Sequence, residues 1–268
     1  VRILFFGDIV GHPGRDAVQT ILPRWRAAHQ PDFIIANGEN AAGGMGITPR
    51  IAEELFTAGV NALTLGNHTF NKKEVLSLLE DDDRVVRPAN YPEGVPGHGY
   101  GLYTTSGGQR VAVMSLLGRV FMDPLDDPFR RAQQLVSILR AQTTCIIVDM
   151  HAEATSEKAA LAWALDGQVS AVVGTHTHVP TADERVLPGG TAFITDVGMV
   201  GPLNSVLGVD TNIIITRFRT WMPARFEVAG GPVRVSAVLI DIDAATGYAR
   251  TIRRLEETIA QTSDPHRL

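Results

Sequence analysis

Five times within the first 178 residues, a short apolar run breaks off into a polar cluster. Residues 3–6 run into Gly7-Asp8, residues 33–36 into Asn37-Gly38-Glu39-Asn40, and residues 61–65 into Gly66-Asn67-His68. Residues 144–148 run into Asp149-Met150-His151, and residues 170–173 into Gly174-Thr175-His176-Thr177-His178. Apolar runs of this length are the pattern of strands buried on both faces. Amphipathic segments separate them, with helices expected over 15–29, 49–58, 72–80, 127–141 and 155–165. Thr48-Pro49 reads as an N-cap with proline in the first turn, Gly59 as a C-cap, and Pro23 as a kink. Such alternation places the chain in the α/β class.

Beyond residue 180 the texture turns to hairpins. Segments 183–187 and 191–195 flank Pro188-Gly189-Gly190, and 211–216 and 233–241 read as further strands, followed by a turn at 244–247. Residues 111–116 form another strand, whereas 91–108, rich in Gly and Pro, reads as irregular. One domain over 1–268 is expected, with a β core of mixed direction and helices outside. The formal charge of −5 gives no electrostatic footprint for nucleic acid or anionic membrane. The single cysteine, Cys145, excludes an intrachain disulfide and fits a buried small hydrophobe in a reducing compartment. With no basic, apolar leader and no membrane-length apolar run, the expected location is the cytoplasm.

In an α/β sheet, ligands bind beyond the carboxyl ends of the strands. Five strand ends here deliver carboxylates, an amide and imidazoles to one edge. Singly, the signals have plainer readings: Asp8 as a helix cap, Asn67-His68 as a loop pair, His151 as a structural histidine. Glu39 is harder to explain that way, because a carboxylate at an apolar strand terminus is costly to bury without a partner. The spacing of His176 and His178 directs both rings to one side of an extended segment. The combined O and N donors, without thiolate, suit Mn, Fe or Zn. Their number exceeds the needs of one four-coordinate ion, and a two-metal site with a bridging carboxylate uses the excess.

The series Gly7-Asp8, Gly38-Glu39-Asn40, Gly66-Asn67-His68, Met150-His151 and Gly174-Thr175-His176-Thr177-His178 resembles the calcineurin-like metallophosphoesterase superfamily, and more closely its YmdB-like branch. Similarity continues through residues 181–185 and 195–199. The resemblance implies a four-layer α/β/β/α sandwich with mixed sheets. It also implies two divalent ions per chain, Fe or Mn before Zn, which activate water for direct attack on phosphorus. Asp8 and His178 would hold the first ion with Asn40 assisting, Asn67, His151 and His176 the second, and Glu39 would bridge them. His68 would be catalytic, protonating the leaving alkoxide or contacting a phosphoryl oxygen. Asp183 and Asp196 are candidates to orient histidines. The implied substrate is a small phosphate ester, in this branch a 2′,3′-cyclic nucleotide.

The sequence departs from the superfamily pattern at three positions. Val10 stands where the first motif usually carries histidine, Glu39 replaces the usual bridging aspartate, and Thr69 replaces an acidic residue after Asn-His. A phosphomonoesterase, another phosphodiesterase, a regulatory metal-binding protein and a metal-dependent amidohydrolase are the competing readings. A homo-oligomer is compatible with the sequence. His12 reads as an exposed loop histidine, and residues 43–46 as a glycine loop whose amides could approach phosphate.

Overall fold

The computed structural model describes residues 1–260. Chain order is β1 (Arg2–Ile9), α1 (Gly11–His29), β2 (Phe33–Asn37), α2 (Pro49–Ala58), β3 (Ala62–Thr64), α3 (Val75–Asp81) and β4 (Val85–Val86). Then follow β5 (Tyr100–Thr104), β6 (Arg110–Leu117), α4 (Pro128–Leu139), β7 (Cys145–His151), α5 (Thr155–Ala164) and β8 (Ala171–Thr175). The rest comprises β9 (Arg185–Val186), β10 (Ala192–Ile194), β11 (Met199–Pro202), α6 (Thr211–Thr220), β12 (Val233–Ile242) and β13 (Ala249–Ile259).

The strands form two mixed sheets. One has seven strands in the order β13-β12-β11-β1-β2-β3-β4, and the other six in the order β5-β6-β7-β8-β10-β9. Their layering follows from side-chain parity, because successive strand residues point to opposite faces. In β1, Ile3 and Phe5 pack toward the second sheet, while Leu4 and Phe6 pack outward against α1 and α2. In β6 and β7, Val111, Val113, Cys145 and Ile147 face inward, while Ala112, Met114, Ile146 and Val148 face α4 and α5. Three apolar layers result, and helices cover both outer faces. This is the expected α/β/β/α arrangement.

Local expectations fare differently. Thr48 caps α2, accepting from Ile51 N, and Gly59 closes it in the left-handed region at φ 113°. The expected hairpin is the antiparallel β9–β10 pair. Segment 211–216 is not a strand but the start of α6. Its β-branched run suggested a strand, yet Asp210 accepts from Asn212 N and Ile213 N and nucleates a helix with only Ile214 buried. Within the region expected to be irregular, β5 pairs antiparallel with β6. His12 lies in the first turn of α1 rather than in a loop, 2.8 Å from the Asp16 carboxylate. The amide of Gly44 donates to Asn40 O inside its own turn. No helix among the described residues is long and apolar enough to cross a membrane.

Candidate metal centre

Strand parity builds the site. The parallel strands β2, β3, β7 and β8 bring their carboxyl ends together, and their last inward residues are Asn37, Thr64, His151 and Thr175. Asp149 points the same way one step earlier in β7. These groups sit between the sheets, where a polar side chain is tolerated only if it is hydrogen-bonded. Asp149 meets that condition by accepting from Thr175 Oγ1 at 2.6 Å, Thr64 Oγ1 at 2.5 Å and Asn37 Nδ2 at 3.1 Å. Burial nevertheless raises its pKa, against the lowering influence of His151 and these donors.

Thr175 passes this arrangement on to His151. Its hydroxyl hydrogen goes to Asp149, so its oxygen is free to accept from His151 Nδ1 at 2.8 Å. That leaves His151 Nε2 directed outward, into a cluster. Glu39 Oε1 lies 3.1 Å from Nε2, Asn67 Oδ1 3.0 Å and His176 Nδ1 3.1 Å. His176 is oriented from its other nitrogen, with Glu153 Oε2 3.2 Å from Nε2. Donor atoms of Glu39, His151 and His176 all fall within 4.8 Å of one another.

Asp8 and His178 define the adjoining half. Asp8 is fully buried, and its Oδ2 accepts from His176 N at 3.2 Å. His178 Nδ1 is 2.9 Å from Leu207 O, which fixes the proton there and turns Nε2 inward. His178 Nε2 stands 3.1 Å from Asn40 Nδ2 and 3.9 Å from Asp8 Oδ1. His68 lies at the mouth, with Nδ1 2.8 Å from Asn40 Oδ1 and 3.3 Å from Glu39 Oε1. Its backbone amide donates to Glu39 Oε2 at 3.0 Å.

The backbone is shaped to bring these groups close. His176 and His178 both occupy positive φ, at 98° and 64°, a conformation that costs a non-glycine residue about 1–3 kcal/mol. At Gly66, a Cβ would lie 2.2 Å from the His151 ring and 2.4 Å from Glu39 Oε2, so only glycine leaves room.

The charges are strongly coupled. Burial opposes ionisation of Glu39, but His151 and then His68 outweigh it and hold its pKa well below the usual carboxylate range. Burial likewise opposes an imidazolium at His151, yet Glu39, then Asp8 and Asp149, raise it to about 9. Asp8 is pushed up to about 6 by burial, only partly offset by His178 and His151. Burial and the neighbouring His151 depress His176 to about 3.

The donor set fits divalent cations. Asp8 Oδ1 is buried without a hydrogen-bond partner. A carboxylate oxygen left in that condition is costly unless a cation meets it. Carboxylate, amide and imidazole donors without thiolate match Mn, Fe or Zn. All eight residues anticipated from the sequence are brought together: Asp8, Glu39, Asn40, Asn67, His68, His151, His176 and His178. Asp183 is not among them. It accepts from Thr181 Oγ1, Thr195 N and Thr195 Oγ1, bracing a turn instead of an imidazole. Asp196 touches backbone amides and the Lys158 ammonium rather than a ring. Sequence reasoning missed Asn37, Thr64, Asp149, Thr175, Glu153 and the Leu207 carbonyl. Inward parity at strand ends could have flagged the first four; the last two depend on loop approach alone.

The sequence model of the YmdB-like proteins matches residues 4–255. The chain belongs to the YmdB-like protein family. It is 52% identical to the 2′,3′-cyclic-nucleotide 2′-phosphodiesterase of Bacillus subtilis (strain 168), over 95% of this chain and 96% of that protein. Among solved structures, a hypothetical protein from Thermus thermophilus superposes with a TM-score of 0.91 at 44% identity, covering 96% of this chain and 99% of the other. A phosphatase from Mycoplasma pneumoniae superposes with the same TM-score at 33% identity, covering 98% and 95%. This YmdB-like chain thus shares fold and length with those relatives.

Proposed function

We propose that this chain hydrolyses phosphodiesters, with nucleoside 2′,3′-cyclic phosphates as substrates, in a site that holds two divalent cations. The observation that carries this reading is the orphaned Asp8 Oδ1 beside a cluster of carboxylate, amide and imidazole donors at the strand ends. The name of the Bacillus subtilis relative supports the substrate class. Asp8, Asn40 and His178 are assigned to one cation, and Asn67, His151 and His176 to the other. Glu39, with His151 and His176 on one side and Asn40 on the other, would be shared between the two sets. Mn or Fe are the expected ions, with Zn also compatible with the donors.

Bound there, two divalent ions supply Lewis acidity, lowering the pKa of water and neutralising phosphoryl charge. The protein's own groups do the rest. Glu39, ionised at neutral pH, sets the negative charge that receives the ions. His178, His176 and His151 keep their hydrogen-bonded nitrogens on Leu207 O, Glu153 and Thr175, and so present a lone pair inward. His68 is the general acid. Asn40 Oδ1 accepts from its Nδ1, so a His68 ring carrying both protons would deliver the one on Nε2 to the departing ribose oxygen and keep the one on Nδ1. The substrate partner is a small nucleotide, with no stable nucleic-acid complex. The whole chain works as one catalytic unit, in the cytoplasm.

The test is to incubate the Mn(II)-loaded protein with 2′,3′-cyclic AMP and separate 3′-AMP from 2′-AMP. Cleavage of the 2′ ester yields 3′-AMP. Hydrolysis of simple phosphomonoesters without any on the cyclic nucleotide would overturn the substrate assignment and favour a phosphomonoesterase.

A further inference from the structure

Lys158 is fully buried, on the face of α5 that packs against β8 with Leu161 and Ala162. Its ammonium donates to Asp196 Oδ2 at 2.7 Å and to Thr175 O at 2.7 Å. Asp196, itself buried, has two further contacts. Its Oδ2 accepts from Thr177 N at 3.1 Å, and its Oδ1 from Gly198 N at 2.8 Å. Gly198, held at φ 86°, accepts in turn from Asp8 N at 3.1 Å through its carbonyl.

These contacts join every part of the strap that carries the histidines. Thr175 O precedes His176, and Thr177 N lies between His176 and His178. Lys158 therefore grips the strap at one end directly and in the middle through Asp196. The two histidines in between have the positive φ angles that neighbouring structure must enforce. Through Gly198 the same carboxylate reaches the backbone of Asp8, on the other sheet. The glycine at 174 fits this arrangement: a Cβ there would come 1.7 Å from Thr195 O and 2.8 Å from the Lys158 stem.

We propose that Lys158 is a positioning residue for the cation site: its buried pair with Asp196 holds His176, His178 and Asp8 in register. The proposal rests on the reading that these residues bind divalent ions. A buried ion pair is weak support for stability in itself, and replacing both partners by neutral groups is often neutral. Its use here is geometric. A stabilising pair and a positioning pair therefore predict different outcomes when both charges are removed together.

The experiment compares wild type, Lys158→Met, Lys158→Arg and Lys158→Met/Asp196→Asn. Thermal unfolding of the metal-free proteins is followed by circular dichroism, and Mn(II) binding by calorimetry. Lys158→Met alone leaves a buried carboxylate unpaired, and its melting temperature falls. The double variant recovers most of that loss, yet binds Mn(II) about 10–100-fold more weakly than wild type, the range for residues that orient metal ligands. Lys158→Arg recovers part of the affinity. A double variant with wild-type Mn(II) affinity would overturn the proposal, leaving Lys158 a stabilising residue only. Should wild type bind neither Mn(II), Fe(II) nor Zn(II), the metal reading fails as well, so the two failures are separable.

Discussion

Asp8 and Glu39 are both buried carboxylates, yet their surroundings treat them oppositely. Two imidazoles converge on Glu39, His151 at 3.1 Å and His68 at 3.3 Å, and keep it ionised. Asp8 has its nearest imidazole nitrogens at 3.9 Å and a pKa near 6. A cation entering this site must displace the protons of Asp8 and of His151, which holds one up to about pH 9. Protons compete more strongly for both groups as pH falls. Mn(II) affinity should therefore rise from pH 5 to pH 8, with protons released on binding. Titration of Mn(II) into weakly buffered protein with a pH indicator measures the release. Substitutions separate holding from reacting. Glu39→Gln should lose metal, read by elemental analysis, and turnover with it. His68→Ala should keep the metal but lose about 10²–10⁴-fold in kcat on the cyclic nucleotide, the range for a positioned acid.

At the scale of elements, the site depends on strands that end in register, and the loops after them inherit that placement. Three helices, α2, α4 and α6, carry a side-chain cap in their own first turn. Asp127 caps α4, its Oδ1 accepting from Phe129 N at 2.9 Å and Arg130 N at 3.3 Å, with Pro128 in the first turn. Asp127→Ala should cost about 1 kcal/mol, lowering Tm by about 2–4 °C in a chain of this size, with Mn(II) affinity unchanged. Differential scanning calorimetry and Mn(II) calorimetry check the two halves. The same local chemistry accounts for the wrong expectation at 211–216. Three consecutive isoleucines favour a strand by propensity, but the Asp210 cap and Arg217 and Arg219 near the C-terminus favour a helix. Propensity is a weak prior beside such end effects on an exposed segment.

Across the whole molecule, the gap between the sheets is apolar along most of its length and polar at one edge. Cys145 belongs to the apolar part, packed among Val111, Val113 and Ile147. Burial pushes its thiol up to about 11 from an ordinary 9. The folded state binds that proton more tightly than the unfolded chain, so this group's contribution to stability is present below pH 9 and is lost as pH rises toward 11. The thiol should resist a disulfide reagent at pH 8 in the native protein and react once urea unfolds it; fast native labelling would mean the sheets part more readily than this packing allows. Most buried strands (β1, β2, β3, β6, β7, β8, β10 and β12, but not β4 or β11), the caps at Thr48 and Gly59, and the residues gathered at the centre were legible in the sequence. Each of these is written in local pattern, as apolar period, turn chemistry or a polar residue following an apolar run. Tertiary contacts alone set that β11 pairs with β1, that Asp149 acts on His151 through Thr175, that Glu153 and Leu207 orient the histidines, and that Lys158 and Asp196 brace the strap. Those contacts join residues distant in sequence, some within a sheet and some between the two, and neither periodicity nor propensity carries information about which remote partner a buried group will meet.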